Sequence, residues 1–254
     1  MKSAIVMQTD FGVENLSVCT MYGVCRIVDP ELDVFDATHA IPQFDVLTAS
    51  DSLMYTMPFW PKGTVFVSVV DPGVGTKRRA CVAKLKNGQY VVTPDNGSLT
   101  YPKLRVGIEE VREIDETINR YPTTRDVHIF HGRDLFAYCA ARLAAGVITY
   151  EQVGPAYPVS EIVTFPTDHY AVEDGRAEGV LTDAMDTFGN LETSIPIDDF
   201  ERSGIVSGDT VQLTITHGAD TPFDAPVTFH RSFGFVPEGA PVVYNSCTGY
   251  IGVA

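Results

Sequence analysis

The first half of the chain switches repeatedly between two hydrophobic periods. Runs with strand character end at Thr9, Phe35, Val70 and Pro94, and helical spacings fill the gaps between the first three. Val18, Met21, Tyr22, Cys25 and Val28 lie on one predicted helical face. Val46, Ser50, Leu53, Met54 and Met57 lie on another, which Pro58 terminates. The resulting β-α-β-α-β order predicts a largely parallel sheet with right-handed crossovers. Asn87-Gly88 between two β-rich runs predicts a hairpin, which makes that sheet mixed. A further helix is expected from about Arg133 to Ala145, with Phe136, Cys139, Ala140 and Leu143 as its apolar face and Gly146 just past its end.

The pattern then changes. Tyr157 to Thr167 holds two prolines and reads as a linker. From Ala177 onward the signals are short strands, such as Val211, Leu213 and Ile215 alternating with Gln212 and Thr214, and the closing Tyr250-Ile251-Gly252-Val253. The expectation is an α/β domain over 1–165, followed over 166–254 by a smaller all-β, barrel-like domain.

Composition narrows the function classes. A chain of 254 residues is near the size at which one core gives way to two. With 44% hydrophobic and 20% charged residues it is an ordinary globular chain. A net charge of −15 argues against nucleic acid as a partner, because phosphate binding needs clustered Lys and Arg. Five cysteines without C-x-x-C spacing read as reduced thiols in a cytoplasmic protein. Ala4 to Met7 is too short for the core of a signal peptide, and no apolar run approaches the roughly 18 residues of a membrane span.

Four strand-like runs end on aspartate: Asp10, Asp36, Asp71 and Asp95. In an open α/β sheet ligands bind beyond the carboxyl ends of parallel strands, so carboxylates there would share a crevice. The competing explanation is that Asp is a common turn and cap residue. In Asp71-Pro72-Gly73-Val74-Gly75-Thr76-Lys77-Arg78-Arg79, a glycine loop lets an arginine return on the aspartate in a charge-assisted pair, which serves either a site or the turn beneath it. Within Phe130-His131-Gly132-Arg133-Asp134, His131 stands just before a predicted helix, whose positive end favours a neutral imidazole. His128 competes for any role given to it. Asp186-Thr187-Phe188-Gly189-Asn190 combines an anion, an aromatic face and an amide able to read a purine edge, but it also suits a plain β-turn.

In that order along nearly the whole chain, Thr9-Asp10-Phe11-Gly12, the Asp71–Arg79 segment, Pro94-Asp95-Asn96-Gly97, Phe130–Asp134 and Phe188-Gly189-Asn190 resemble the S-adenosyl-L-methionine (SAM) hydroxide adenosyltransferases, relatives of the fluorinases and chlorinases. The resemblance implies an α/β domain with a β-barrel-like partner, a homotrimer with sites between subunits, and conversion of SAM and water to adenosine and L-methionine without a cofactor or metal. It implies Asp71, Arg78 and His131 as the catalytic set. Asp10 would hold the ribose hydroxyls and Phe44 would lie against the sugar. Asp186 and Ser246 would meet the methionine end, and Asn190, Phe188 and the backbone near Val253 would surround adenine. Cys247-Thr248 departs from the arginine that the fluorinases carry there.

A halogenase is the rival within the family. It would lack the Asp and His found at 71 and 131, and it carries an insertion missing from the short hairpin at Asn87. Outside the family, the alternatives are a divalent-metal hydrolase using the aspartate cluster and a non-catalytic adenosine- or SAM-binding module.

Overall fold

The computed structural model describes residues 2–254 except 125, 168 and 186–188. The chain divides into two compact units, Met1–Phe165 and Pro166–Ala254. Among the described residues no helix is long and apolar enough to cross a membrane.

The first unit opens with β1 (Ile5–Thr9), α1 (Leu16–Val28), β2 (Val34–Thr38), α2 (Val46–Thr56) and β3 (Val65–Val69). The Asn15 side chain caps α1 and the Asp45 side chain caps α2, each accepting from a backbone N–H in the first turn. The hairpin β4 (Ala80–Leu85) to β5 (Tyr90–Pro94) turns at Asn87-Gly88. It is followed by β6 (Ile108–Glu113), α3 (Glu116–Asn119), α4 (Tyr138–Ala144) and β7 (Ala156–Tyr157).

These strands form one sheet in the order β2-β1-β3-β5-β4-β6-β7. The pairs from β2 through β5 are parallel, and those from β5 through β7 are antiparallel. Every position of β1 and β3 is buried, as expected of strands covered on both faces. Ile5 and Met7 point to a core layer with Met21 and Cys25 of α1 and Cys139 and Ala140 of α4. Val6, one residue out of phase, points to the opposite layer with Leu53 of α2.

The expected helix at 133–145 begins instead as a π-helical turn, Gly132–Ala137, which runs into α4. Such turns recur where a helix is bent to serve a site. The expected linker is a strap on the first unit up to Phe165. Tyr157 lies in β7, Ile162 joins the core, and the Phe165 N–H bonds to Thr100 Oγ1. Its apolar side chains outweigh the two prolines that suggested a free connection.

The second unit is all-β apart from short helical turns. A hairpin of β8 (Ala171–Glu173) and β9 (Arg176–Glu178) precedes β10 (Leu181–Met185), β11 (Asn190–Pro196), α5 (Ile197–Phe200), β12 (Thr210–His217), β13 (Asp220–Phe229), β14 (Val242–Asn245) and β15 (Tyr250–Val253). The last six strands form a half-barrel sheet in the order β10-β11-β15-β14-β13-β12. Ile195, Phe200, Val227, Phe229 and Ile251 make its core.

Candidate active site

Strand order decides which aspartates meet. From β1 the chain leaves through α1 toward β2, whereas from β3 it continues to the other side of the sheet. The carboxyl ends of the adjacent β1 and β3 are therefore a topological switch point, where a crevice opens. Asp10 and Asp71 follow these two strands. They line one cleft of about 260 Å³ together with Phe11, Phe44, Ile129 and His131.

The other two aspartates go elsewhere, and Asp36 does not end its strand as expected but lies inside β2, which runs on to Thr38. Asp36 accepts from the Tyr22 hydroxyl and bonds His39 Nε2 at 2.7 Å. Asp95 accepts from the Tyr157 hydroxyl and the Val163 N–H, both at 2.9 Å, and so anchors the strap. Burial raises its pKa, although both donors oppose the shift. The idea of four carboxylates in one crevice is thus corrected to two. Among the described residues no group of three or more His, Cys, Asp or Glu side chains is arranged to hold a metal ion, so the cluster proposed for a metal hydrolase does not assemble.

The loop after β3 makes two successive turns, with Val74 N–H on Asp71 C=O and Thr76 N–H on Gly73 C=O. Gly75 has φ +75°, and a Cβ there would stand 2.9 Å from the His128 carbonyl oxygen, so only glycine fits. The chain is thereby brought round to place Arg78 on Asp71. Arg78 Nε lies 2.9 Å from Asp71 Oδ1, and Nη2 bonds Oδ2. The two side chains are 9% and 6% exposed. Arg78 also lies 5.3 Å from the centre of the Phe136 ring, which the π-helical turn presents.

Arg78 Nη2 further donates to His131 Nδ1 at 2.8 Å. A guanidinium only donates, so Nδ1 must carry a lone pair, and in the neutral ring the proton sits on Nε2. Burial lowers the His131 pKa, and the Arg78 charge lowers it further. His131 side-chain capping of the following helix is absent. Asp71 and His131 line the cleft and Arg78 does not. The competitor His128 is exposed.

On the cleft's other wall, Asp10 Oδ2 accepts the Phe44 N–H at 2.9 Å. Phe44 has φ +66°, the one positive value at a non-glycine among the described residues. Such a backbone costs on the order of 1–3 kcal/mol and persists when its surroundings fix it. Here the Asp10 bond fixes one side of the residue, and Asp45, which caps α2, fixes the other.

In the second unit Asn190 begins β11, whose Leu191 pairs with Val253 of β15, so Asn190 stands beside the Val253 backbone. Ser246 donates to Glu192 Oε1 at 2.5 Å, and Thr248 Oγ1 donates to Oε2 at 2.8 Å. Glu192 is buried and was not singled out from the sequence. Its only signal is that it lies two residues beyond Asn190 and shares that strand face. Asp186 and Phe188 lie outside the described residues. In the first unit, sequence reasoning also missed Arg120, which sits against His131, and Glu116, which pairs with that arginine. Their four-residue spacing was the available signal.

Comparison with known proteins bears on both units. Residues 5–154 match the family model of the SAM hydroxide adenosyltransferase N-terminal domain, and residues 182–254 match that of the C-terminal domain. The chain is 35% identical to a protein of Thermus thermophilus named (R)-S-adenosyl-L-methionine hydrolase, over 97% of this chain and 89% of the relative. It is 28% identical to a fluorinase of Actinopolyspora mzabensis, over 98% and 89%. A crystal structure of an uncharacterized conserved protein from Thermotoga maritima superposes with a TM-score of 0.89 at 33% identity, covering 98% of this chain and 91% of that one. With both of its units matched in order and its length covered by these relatives, the chain belongs to the SAM hydroxide adenosyltransferase family.

Proposed function

We propose that this chain hydrolyses SAM to adenosine and L-methionine by in-line attack of water on C5′. The observation that carries this reading is the buried Asp71–Arg78–His131 array at the cleft beyond β1 and β3. In the reaction the oxygen–C5′ bond forms as the C5′–S bond breaks. The sulfonium leaves as the neutral thioether of methionine, and the water gives up its proton. A nucleophile with hydroxide character and a sulfonium cation cancel charge in the transition state. A cleft poor in water favours that step over bulk solvent, where both ions are well solvated. Asp71 faces the cleft and would orient the water and draw on its proton. Arg78 ties Asp71 to His131 and supplies the compensating positive charge. The leaving group is already activated as a sulfonium, so the chemistry calls for no metal or other cofactor.

In the same reading Asp10 accepts both ribose hydroxyls, the second lone pairs of its oxygens being available beside the Phe44 N–H, and the Phe44 ring lies against the sugar. Asn190, Phe188 and the Val253 backbone surround adenine, and Asp186 and Ser246 receive the methionine end. Two features support sites completed by a neighbouring subunit, as a homotrimer with interface sites requires. The cleft is smaller than the roughly 300–1,000 Å³ typical of small-molecule sites. Its rim residues Phe44 and Ile129 are 67% and 81% exposed, which leaves apolar surface for another wall to cover. The five cysteines are free thiols, which supports a cytoplasmic location.

The test is incubation of the purified protein with each sulfonium epimer of SAM in ¹⁸O-water, since the Thermus thermophilus relative is named for the (R) form. Adenosine carrying the label at its 5′ oxygen, with methionine alongside, is the expected result. Unlabelled adenosine, or attack at another carbon of the sulfonium, would overturn the proposal.

A further inference from the structure

We infer that Arg120, held by Glu116, is a positioning residue whose charge keeps His131 from protonating and so leaves Nδ1 free to accept the hydrogen bond from Arg78. Arg120 directly follows α3 and is 7% exposed. Its Nη1 lies 2.6 Å from Glu116 Oε2 and its Nη2 donates to the Val127 carbonyl. The same Nη1 stands 3.5 Å from His131 Nε2, while its Nε is buried without a partner.

The imidazole therefore lies between two guanidiniums, Arg78 on the Nδ1 side and Arg120 on the Nε2 side. Neither can accept a hydrogen bond. A neutral imidazole has one lone pair and can serve only one of them. The distances of 2.8 and 3.5 Å assign it to Arg78. With Nδ1 serving Arg78, the Nε2–H turns toward Arg120 at a distance too long for a bond; protonation would set a second N–H against Arg78 and add a third positive charge.

The two guanidiniums are not equivalent. The Arg78 charge is compensated in direct contact by buried Asp71. Arg120 is compensated by Glu116, whose side chain is 45% exposed and therefore better screened by solvent. Among the described residues the charged groups facing the ring are these four. Arg78 and Arg120 disfavour the imidazolium, Glu116 and Asp71 favour it, and burial adds the largest penalty. The consequence for the site is geometric. A neutral His131 fixes the plane of Arg78 and through it the carboxylate of Asp71. Protonation breaks the Arg78–His131 bond and releases that plane. With its lone pair engaged, the ring acts through Arg78 and does not take the proton of the water.

The effect on turnover rests on the proposed hydrolysis, but the titration of the ring does not. The His131 ring signals are followed by NMR against pH, assigned by their loss in His131→Asn. Arg120→Gln removes a cation and should move the titration to higher pH. Glu116→Gln removes an anion from a half-exposed side chain and should move it to lower pH. Arg120→Lys should stay near the wild type. The acid limb of kcat/KM for SAM should follow the same order, with KM above the limb unchanged in Arg120→Gln. Should Arg120→Gln fail to fold, the other two variants still give the sign. Titration at the same pH in Glu116→Gln and the wild type, or shifts of one sign in both charge-removing variants, would overturn the inference. If no protein turns SAM over while the titrations shift as described, the proposed function fails and the positioning role stands.

Discussion

Replacing Arg78 by Met would leave Asp71 as a buried carboxylate without its cation. The two side chains are 9% and 6% exposed and joined through a two-pronged contact, so little solvent screening discounts their interaction. Breaking such a pair from one side costs roughly 3–5 kcal/mol, because one charge stays desolvated and unpaired. Asp71→Asn strands Arg78 in the same way and also leaves His131 bonded to a guanidinium that has lost its anchor. In the double variant no buried charge is left uncompensated. Its loss should be smaller than the sum of the two single losses by about 1–3 kcal/mol, the usual range for groups in one network. The chain's one tryptophan makes this measurable. Trp60 belongs to the first unit and packs against Phe35 at 5.2 Å between ring centres, so its fluorescence in urea reports unfolding of the unit that holds the pair. The same three variants assayed for adenosine release should each lose most turnover, with the double variant no worse than the poorer single one. Single losses below about 1 kcal/mol that simply add in the double variant would refute a buried, coupled pair.

The sheet and its helices were legible because their signals are local. Strand runs and helical spacings at 18–28 and 46–57 rest on residues a few positions apart, and the Asn87-Gly88 turn needs only its neighbours. Asp71 and Arg78 were legible for the same reason, since a glycine loop joins them over seven residues. Their link to His131 spans 53 residues and came from family resemblance alone. What was not legible depends on strand order. Asp10, Asp71 and Asp95 follow strands and Asp36 lies inside β2, but only β1 and β3 flank the switch point. Asp36 is claimed by Tyr22 and His39, and Asp95 by the strap, through partners that no motif announces. Glu192 and Arg120 carried only weak signals for a related reason. A lone Glu on a strand or an Arg after a short helix is usually solvated, and only the surrounding packing makes these two buried. The left-handed Phe44 was equally hidden, because nothing in Gln43-Phe44-Asp45 calls for positive φ without the Asp10 acceptor opposite.

Asp10→Ala removes the acceptor for Phe44 and for the proposed ribose contact, and should weaken adenosine binding by about 1–3 kcal/mol per group left unpaired, more than Asp10→Asn does. Calorimetry showing adenosine and 2′-deoxyadenosine bound equally by the wild type would refute the ribose assignment. Asp95→Asn should leave adenosine release unchanged, since Asp95 faces the strap, and should cost about 1 kcal/mol of stability by setting an amide against the Val163 N–H or the Tyr157 hydroxyl. Turnover that falls as far as in Asp71→Asn would show that Asp95 belongs to the site after all. The last prediction is a pH dependence of folding. The His131 pKa is lowered in the fold from its ordinary 6.5. As pH falls through about 6.5 the unfolded chain takes up this proton and the folded one does not, so ∂ΔG/∂pH is positive there. The stability this ring contributes is therefore complete above pH 6.5 and is lost as pH drops toward the folded value. Asp95, with its raised pKa, acts in the opposite sense from 3.8 upward, so the wild-type curve mixes the two. The difference between wild type and His131→Asn isolates the imidazole, because Asp95 cancels. That difference should decline below pH 6.5 when unfolding is followed through Trp60, and a flat difference would mean that the ring is not held neutral between its two guanidiniums.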